Sequence, residues 1–133
     1  MLDKEILGCI ISGNKKFITT VSEPFNNLAV DFLGDFSNEL KKLKKINLYP
    51  DLIYLVFWCR KKKNLAKNLY NNSLRLGRGL IFHICPSNVP TNFIYSFFFG
   101  LLSGNSNIVK IPSKNFKEKT IILSVIKLLF NKK

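Results

Sequence analysis

Two short polar segments stand at the ends of apolar runs, and their residue types could do chemistry. The first is Cys85-Pro86-Ser87-Asn88-Val89-Pro90. Its prolines set the backbone of a loop, and Asn88 offers an amide N–H pair in a defined direction. Such a donor suits an oxyanion hole, where preorganised hydrogen bonds stabilise charge developing on a carbonyl oxygen. The same Asn could instead cap a helix after Pro90 or brace the turn through its backbone. The second segment is Lys110-Ile111-Pro112-Ser113-Lys114. Lys110 belongs to an apolar run, where a charge must reach water, a partner or a phosphate. It either snorkels to the surface or meets a ligand. Ser113 and Lys114 add a hydroxyl and an ammonium group suited to phosphate or ribose contacts. No GxGxxG occurs, so a standard Rossmann phosphate loop is absent.

The surrounding elements decide whether these segments meet. Residues 80–84 form a continuous apolar run too short for a helix, as expected of a strand buried on both faces. Residues 90–103 read as a crossover helix stopped by Gly104-Asn105, and 107–111 as a second strand. So long a connection predicts a parallel, right-handed strand-helix-strand unit. Ligands of open α/β sheets bind at the carboxyl ends of strands, where both polar segments fall. Upstream, Leu28, Phe32, Phe36, Leu40 and Leu43 recur at helical spacing over 26–44. Pro50 opens a second helix, with Leu52, Leu55, Val56, Cys59, Ala66 and Leu69 as its inner stripe and 60–63 facing water. One or two short strands are expected at 6–11 and 17–21. Asn115 and Glu118 have capping-box spacing for a last helix over 116–130. That helix is apolar nearly all round, which predicts a cover supplied by something larger. The chain divides into an N-terminal extension or strands (1–24), a helical pair (25–73) and a partial dinucleotide-binding α/β unit (74–133).

With 133 residues, 47% apolar, the chain can bury a core. Its net charge of +13 invites a nucleic-acid or anionic-membrane reading. The basic residues are nevertheless scattered along the chain without aromatic interleaving, which favours a solvated surface over nucleic acid. Cys9, Cys59 and Cys85 are widely spaced and accompany a single His, so neither a disulfide framework nor a zinc site is expected. A reducing cytoplasmic compartment fits free thiols. No leader opens the chain, and its longest apolar run falls well short of a bilayer span. His83, inside the first strand, reads as a core histidine, and Arg60 as packing on Trp58 or facing solvent.

The loop of Pro86, Asn88 and Pro90, the Gly104-Asn105 turn and Lys110 together resemble the cofactor-binding half of the aldehyde dehydrogenase superfamily. Three further stretches are similar to its long-chain acyl-CoA reductase branch, known from bacterial luminescence operons. They are His83-Ile84-Cys85-Pro86-Ser87-Asn88-Val89-Pro90, Phe57-Trp58-Cys59-Arg60-Lys61, and Pro24-Phe25-Asn26-Asn27-Leu28 with Asp31-Phe32-Leu33. The resemblance covers about residues 24–130. It implies an α/β fold, the N-terminal part of an aldehyde-dehydrogenase-like cofactor domain preceded by two helices. It implies NADPH-dependent reduction of a fatty acyl-CoA or acyl-protein thioester to the aldehyde, without a metal. Asn88 would be the catalytic oxyanion donor, and Pro86, Ser87, Lys110, Ser113 and Lys114 would line the cofactor site.

Many NAD-preferring relatives carry a Glu three residues after the Lys, where this chain has Ser113 followed by Lys114. A carboxylate there would repel a 2′-phosphate, so the substitution favours NADPH. Relatives acylate a cysteine that comes after the segment present here. Cys9, Cys59 and Cys85 do not stand in its place. The expectation is an N-terminal fragment, inactive alone, of a protein that is oligomeric when complete. Two rival readings are a small basic nucleic-acid-binding protein and a non-catalytic module docking through its last helix.

Overall fold

The computed structural model describes residues 18–68 and 74–132, with Gly13 and Lys16, leaving aside the side chains of 61–68. The expected strand at 6–11, Cys9 and Leu69 lie outside these residues. Helix α1 (Asn27–Lys41) begins at Asn26, whose Oδ1 accepts from the Ala29 amide at 3.0 Å. Its buried stripe is Ala29, Val30, Phe32, Leu33, Phe36, Ser37 and Leu40. Leu28 was expected on that stripe but is 76% exposed. It stands one turn before Phe32, at the rim of an open depression rather than under a neighbour. Leu43 also lies outside, beyond the last helical residue.

A short 3₁₀ turn (Ile46–Leu48) leads to α2 (Pro50–Asn68). Pro50 opens α2 because a first-turn residue needs no amide donor. Leu52, Leu55, Val56 and Cys59 are buried as expected. Ser37 makes close approach of the two helices polar as well as apolar: its buried hydroxyl donates to the Val56 carbonyl at 3.0 Å. Arg60 is exposed, as one of its two readings had it, and its guanidinium lies 5.9 Å from the Phe57 ring centroid. Trp58 instead packs inward, stacked on Phe98 at 6.2 Å and edge-on to Tyr95 at 5.5 Å.

Strand β1 (Leu80–Ile84), helix α3 (Asn92–Leu102) and strand β2 (Ser106–Lys110) form the expected parallel unit. The register pairs Leu80 with Ser106 and Ile84 with Lys110. Together with its helices, this two-stranded sheet makes the described part of the chain α/β. Helix α3 covers one face and buries Phe93, Ile94, Phe98 and Leu102. The other face departs from expectation. Leu80, Phe82 and Ile84 are 41%, 58% and 67% exposed, so β1 is buried on one side. A second apolar face was read from an unbroken apolar run, and the run alone does not say whether a second layer of structure lies over it.

The turn between α3 and β2 holds this unit together. Gly104 has φ +81°, and a side chain there would run into the Ser22 carbonyl. Asn105 is buried, and its Oδ1 accepts from the backbone amides of Arg78 (2.5 Å) and Gly79 (3.2 Å). Its Nδ2 donates to the Gly100 carbonyl at 3.4 Å. The chain before α1 joins the same turn: the Ser22 amide donates to Gly104, Gly77 to Ser22, and Phe25 to Leu102. Residues 18–21 therefore run past the turn with isolated hydrogen bonds and form no ladder, unlike the strand expected at 17–21.

Helix α4 (Lys117–Asn131) starts without the expected capping box. Phe116 is its N-cap, and Asn115 instead accepts from Lys119 Nζ at 3.3 Å. Ile122, Val125, Ile126 and Leu129 are buried, whereas Leu128 and Phe130 keep 43% and 41% of their surface. The helix thus finds a partner for one face, with Phe130 against Phe32 at 5.7 Å. At its end, Lys132 and Lys42 each reach Glu39 Oε1 at 2.8 Å, tying α4 to α1. These bonds, Lys132 first, hold the Glu39 carboxyl below the usual carboxylate range.

Two outcomes follow from this packing. Asn105→Ala strips two amides of their acceptor and should cost about 2–3 kcal/mol, with Asn105→Asp retaining part of the loss, read as urea midpoints. Because the folded-state pKa of Glu39 is depressed, its contribution is full above the unfolded value of 4.5 and fades as pH falls through the lower folded one. Glu39→Gln should therefore flatten the thermal midpoint's decline in that acid window. An unchanged slope would remove the pair from the account.

Candidate functional site

Parallel pairing with Ile84 opposite Lys110 brings both strands to an end side by side. The loop of Pro86, Ser87 and Asn88 and the segment Ile111-Pro112-Ser113-Lys114 therefore leave the same edge of the sheet. Pro86, Ser87, Asn88, Lys110, Ser113 and Lys114 are all exposed there. Asn88 does not cap α3: the N-cap is Thr91, which supplies no side-chain bond. The Asn88 carboxamide makes no hydrogen bond to the described residues, which leaves its N–H pair available. Lys110 ends β2 with its side chain in solvent, and Lys114 Nζ lies 5.1 Å from the Phe116 ring centroid. Pro112, by contrast, is buried, and its carbonyl accepts from Lys119 Nζ at 3.1 Å. That bond anchors the second segment at its middle and leaves its polar residues outward.

Behind the edge, a polar cluster fixes β1, α3 and β2 in relation to one another. His83 is buried, with Nδ1 2.7 Å from Ser96 Oγ and Nε2 2.8 Å from Asn107 Oδ1. Asn107 donates its own Nδ2 to the Asn105 carbonyl at 2.7 Å, so its oxygen must face the imidazole. His83 consequently donates from Nε2, and in the neutral ring Nδ1 accepts from the Ser96 hydroxyl. Both ring nitrogens are satisfied, which makes His83 the core histidine expected and leaves it no free lone pair for base catalysis. Gly100 completes the arrangement, because a side chain there would overlap Asn107 Oδ1 and crowd the His83 ring. A polar residue inside an apolar strand signalled His83. Nothing in the spacing of Ser96, Gly100 and Asn107 announced that they converge on it.

Cys85 follows β1, half-buried against the core, and Cys59 is buried in it. Burial pushes the Tyr95 hydroxyl above its ordinary range, with Cys59 and then Asp51 acting in the same direction. Tyr95 is thereby kept neutral and serves packing against Trp58. Two open depressions, of about 310 and 510 Å³, are lined by other residues, among them Phe32 and Phe97 in the first and Arg75 and Arg78 in the second. The strand-end residues form an exposed edge rather than a closed pocket. Among the described residues no group of three His, Cys, Asp or Glu could hold a metal, and no helix is long and apolar enough to cross a membrane.

A family model described as acyl-CoA reductase (LuxC) matches residues 32–131, from the middle of α1 to the last residue of α4. No curated protein and no solved structure matches the chain. The matched span contains both strand ends, the His83 cluster and the Asn105 turn, and it is most of the 133 residues. This chain belongs to the LuxC acyl-CoA reductase family.

Proposed function

We propose that this chain carries the cofactor-binding and oxyanion-binding edge of an NADPH-dependent reductase that converts a fatty acyl thioester to the aldehyde. The observation that carries the reading is the parallel register, in which an unbonded Asn88 and the Lys110–Lys114 segment leave one sheet edge together. The donor set suits a phosphate-bearing dinucleotide: two ammonium groups and two hydroxyls, without a carboxylate among them. Lys110 would contact the adenosine ribose, and Ser113 with Lys114 the 2′-phosphate. Pro86 and Ser87 would border the cofactor from the first loop. When bound, the nicotinamide supplies the hydride.

Asn88 acts on the other reactant. Its N–H pair donates to the thioester oxygen as negative charge builds there, and the prolines on either side hold it in that direction. His83 keeps the strand leading to this loop fixed without exchanging a proton. The acylated cysteine would lie further along the complete chain, since Cys59 is enclosed in the core and Cys85 packs against it. An aldehyde-dehydrogenase-like domain, with further strands at the sheet edges and helices over the open face of β1, is the architecture this reading requires. The reducing cytoplasm is its compartment.

In the complete reductase, Lys114→Glu should raise KM for NADPH well above its effect on KM for NADH. Equal changes for the two cofactors would overturn the 2′-phosphate assignment. Asn88→Ala should lower kcat by about 100-fold or more with little change in KM, because its donors act in the transition state. A change confined to KM would make Asn88 a binding residue instead.

A further inference from the structure

We propose that the basic connection between α1 and α2, with the end of α4, is a docking surface for anionic lipid membranes. Four of the five residues 41–45 are lysines, and all five are exposed. Lys41 and Lys42 complement the carboxyl end of the α1 dipole, an effect confined to the last turn. Lys44 and Lys45 lie beyond that turn, and their side chains form no hydrogen bond or ion pair with the described residues. The fold then adds charge from far along the sequence, because Glu39 draws Lys132 to the same place. Glu39 is itself shared between Lys42 and Lys132, so Lys41, Lys42, Lys44, Lys45 and Lys132 outnumber the acidic Glu39 and Asp51 nearby. The patch is therefore strongly positive.

Charge alone would suit any polyanion. Leu48 and Leu43 select among them, being 68% and 37% exposed within the same connection. Basic residues interleaved with outward leucines match a lipid surface, where lysines meet anionic headgroups and apolar side chains enter the boundary below. A nucleic-acid backbone has no use for Leu48. The lipid contact does not depend on the role assigned to the strand ends. A protein docked this way would receive fatty substrates, and release poorly soluble products, beside the phase they prefer.

Vesicle sedimentation of the whole chain tests the proposal, comparing pure phosphatidylcholine with an equal mixture of phosphatidylcholine and phosphatidylglycerol. Binding should require the anionic lipid and weaken with salt. The pair Lys44→Glu and Lys45→Glu should reduce partitioning at least about tenfold, and Leu48→Ser several-fold. A matched control is Arg78→Glu with Lys117→Glu, which changes net charge equally. The bonds at Gly77 and Phe25 set Arg78 near the start of α1, and Lys117 begins α4, so both lie far from the patch. That control should change partitioning by less than about twofold, and circular dichroism of each variant checks the fold. Equal binding to both vesicles, equal weakening by the control, or no binding would overturn the proposal. So would indifference to Leu48→Ser together with tighter binding of a DNA duplex, which would identify a nucleic-acid site instead.

Discussion

A buried amide is expensive unless every polar atom finds a partner, and Asn105 meets that demand by joining two separate parts of the chain to its own turn. Its oxygen takes the amides that lead into β1, and its nitrogen reaches back into α3. Gly104 beside it adopts a backbone that leaves room for the Ser22 carbonyl, and so admits the segment that launches α1. Strand register, the end of the crossover helix and the entry to the helical pair are thus set at one turn. The edge carrying Asn88 and Lys110 inherits its geometry from that turn through the length of two five-residue strands.

The apolar core reaches the same end by another route. Phe97, Phe98 and Phe99 are consecutive on α3 and point three ways: toward Phe32, between Phe36 and Trp58, and onto the outer side of Trp58. Helical rotation of 100° per residue distributes them, so one short run contacts both α1 and α2. Edge-to-face geometry predominates in these contacts, as the ring quadrupole favours. Among the described residues the sheet gains cover on the α3 side alone, which leaves Phe82 and Ile84 largely exposed.

Much of this was legible in the sequence. Proline at position 50, glycine at 104 and the apolar run at 80–84 each restrict the backbone locally, and the elements they announce are present. The failures share a different cause. Leu28 has the right spacing but stands at the open rim of a depression, and the outer face of β1 has the right composition but no second layer among the described residues. Periodicity reports which side of an element is apolar, whereas burial depends on what else arrives there. The capping box failed for a local reason, since Asn115 is engaged by Lys119 and the helix begins two residues after it. Candidate chemistry was readable at the strand ends because polar residues there interrupt apolar runs. The His83 cluster was only half readable, since its members come from three elements.

That cluster has a bearing on how sequences of this kind can change. Gly100 leaves no space for a methyl group while Asn107 and His83 keep their side chains. Enlarging the helix position thus becomes tolerable only after a strand position has shrunk, and each intermediate leaves either a clash or an orphaned polar atom. The order of substitutions is constrained as well as their identity. Positions 83, 96, 100 and 107 should drift as one inherited unit, coupled to one another by packing rather than by the chemistry of the edge they support.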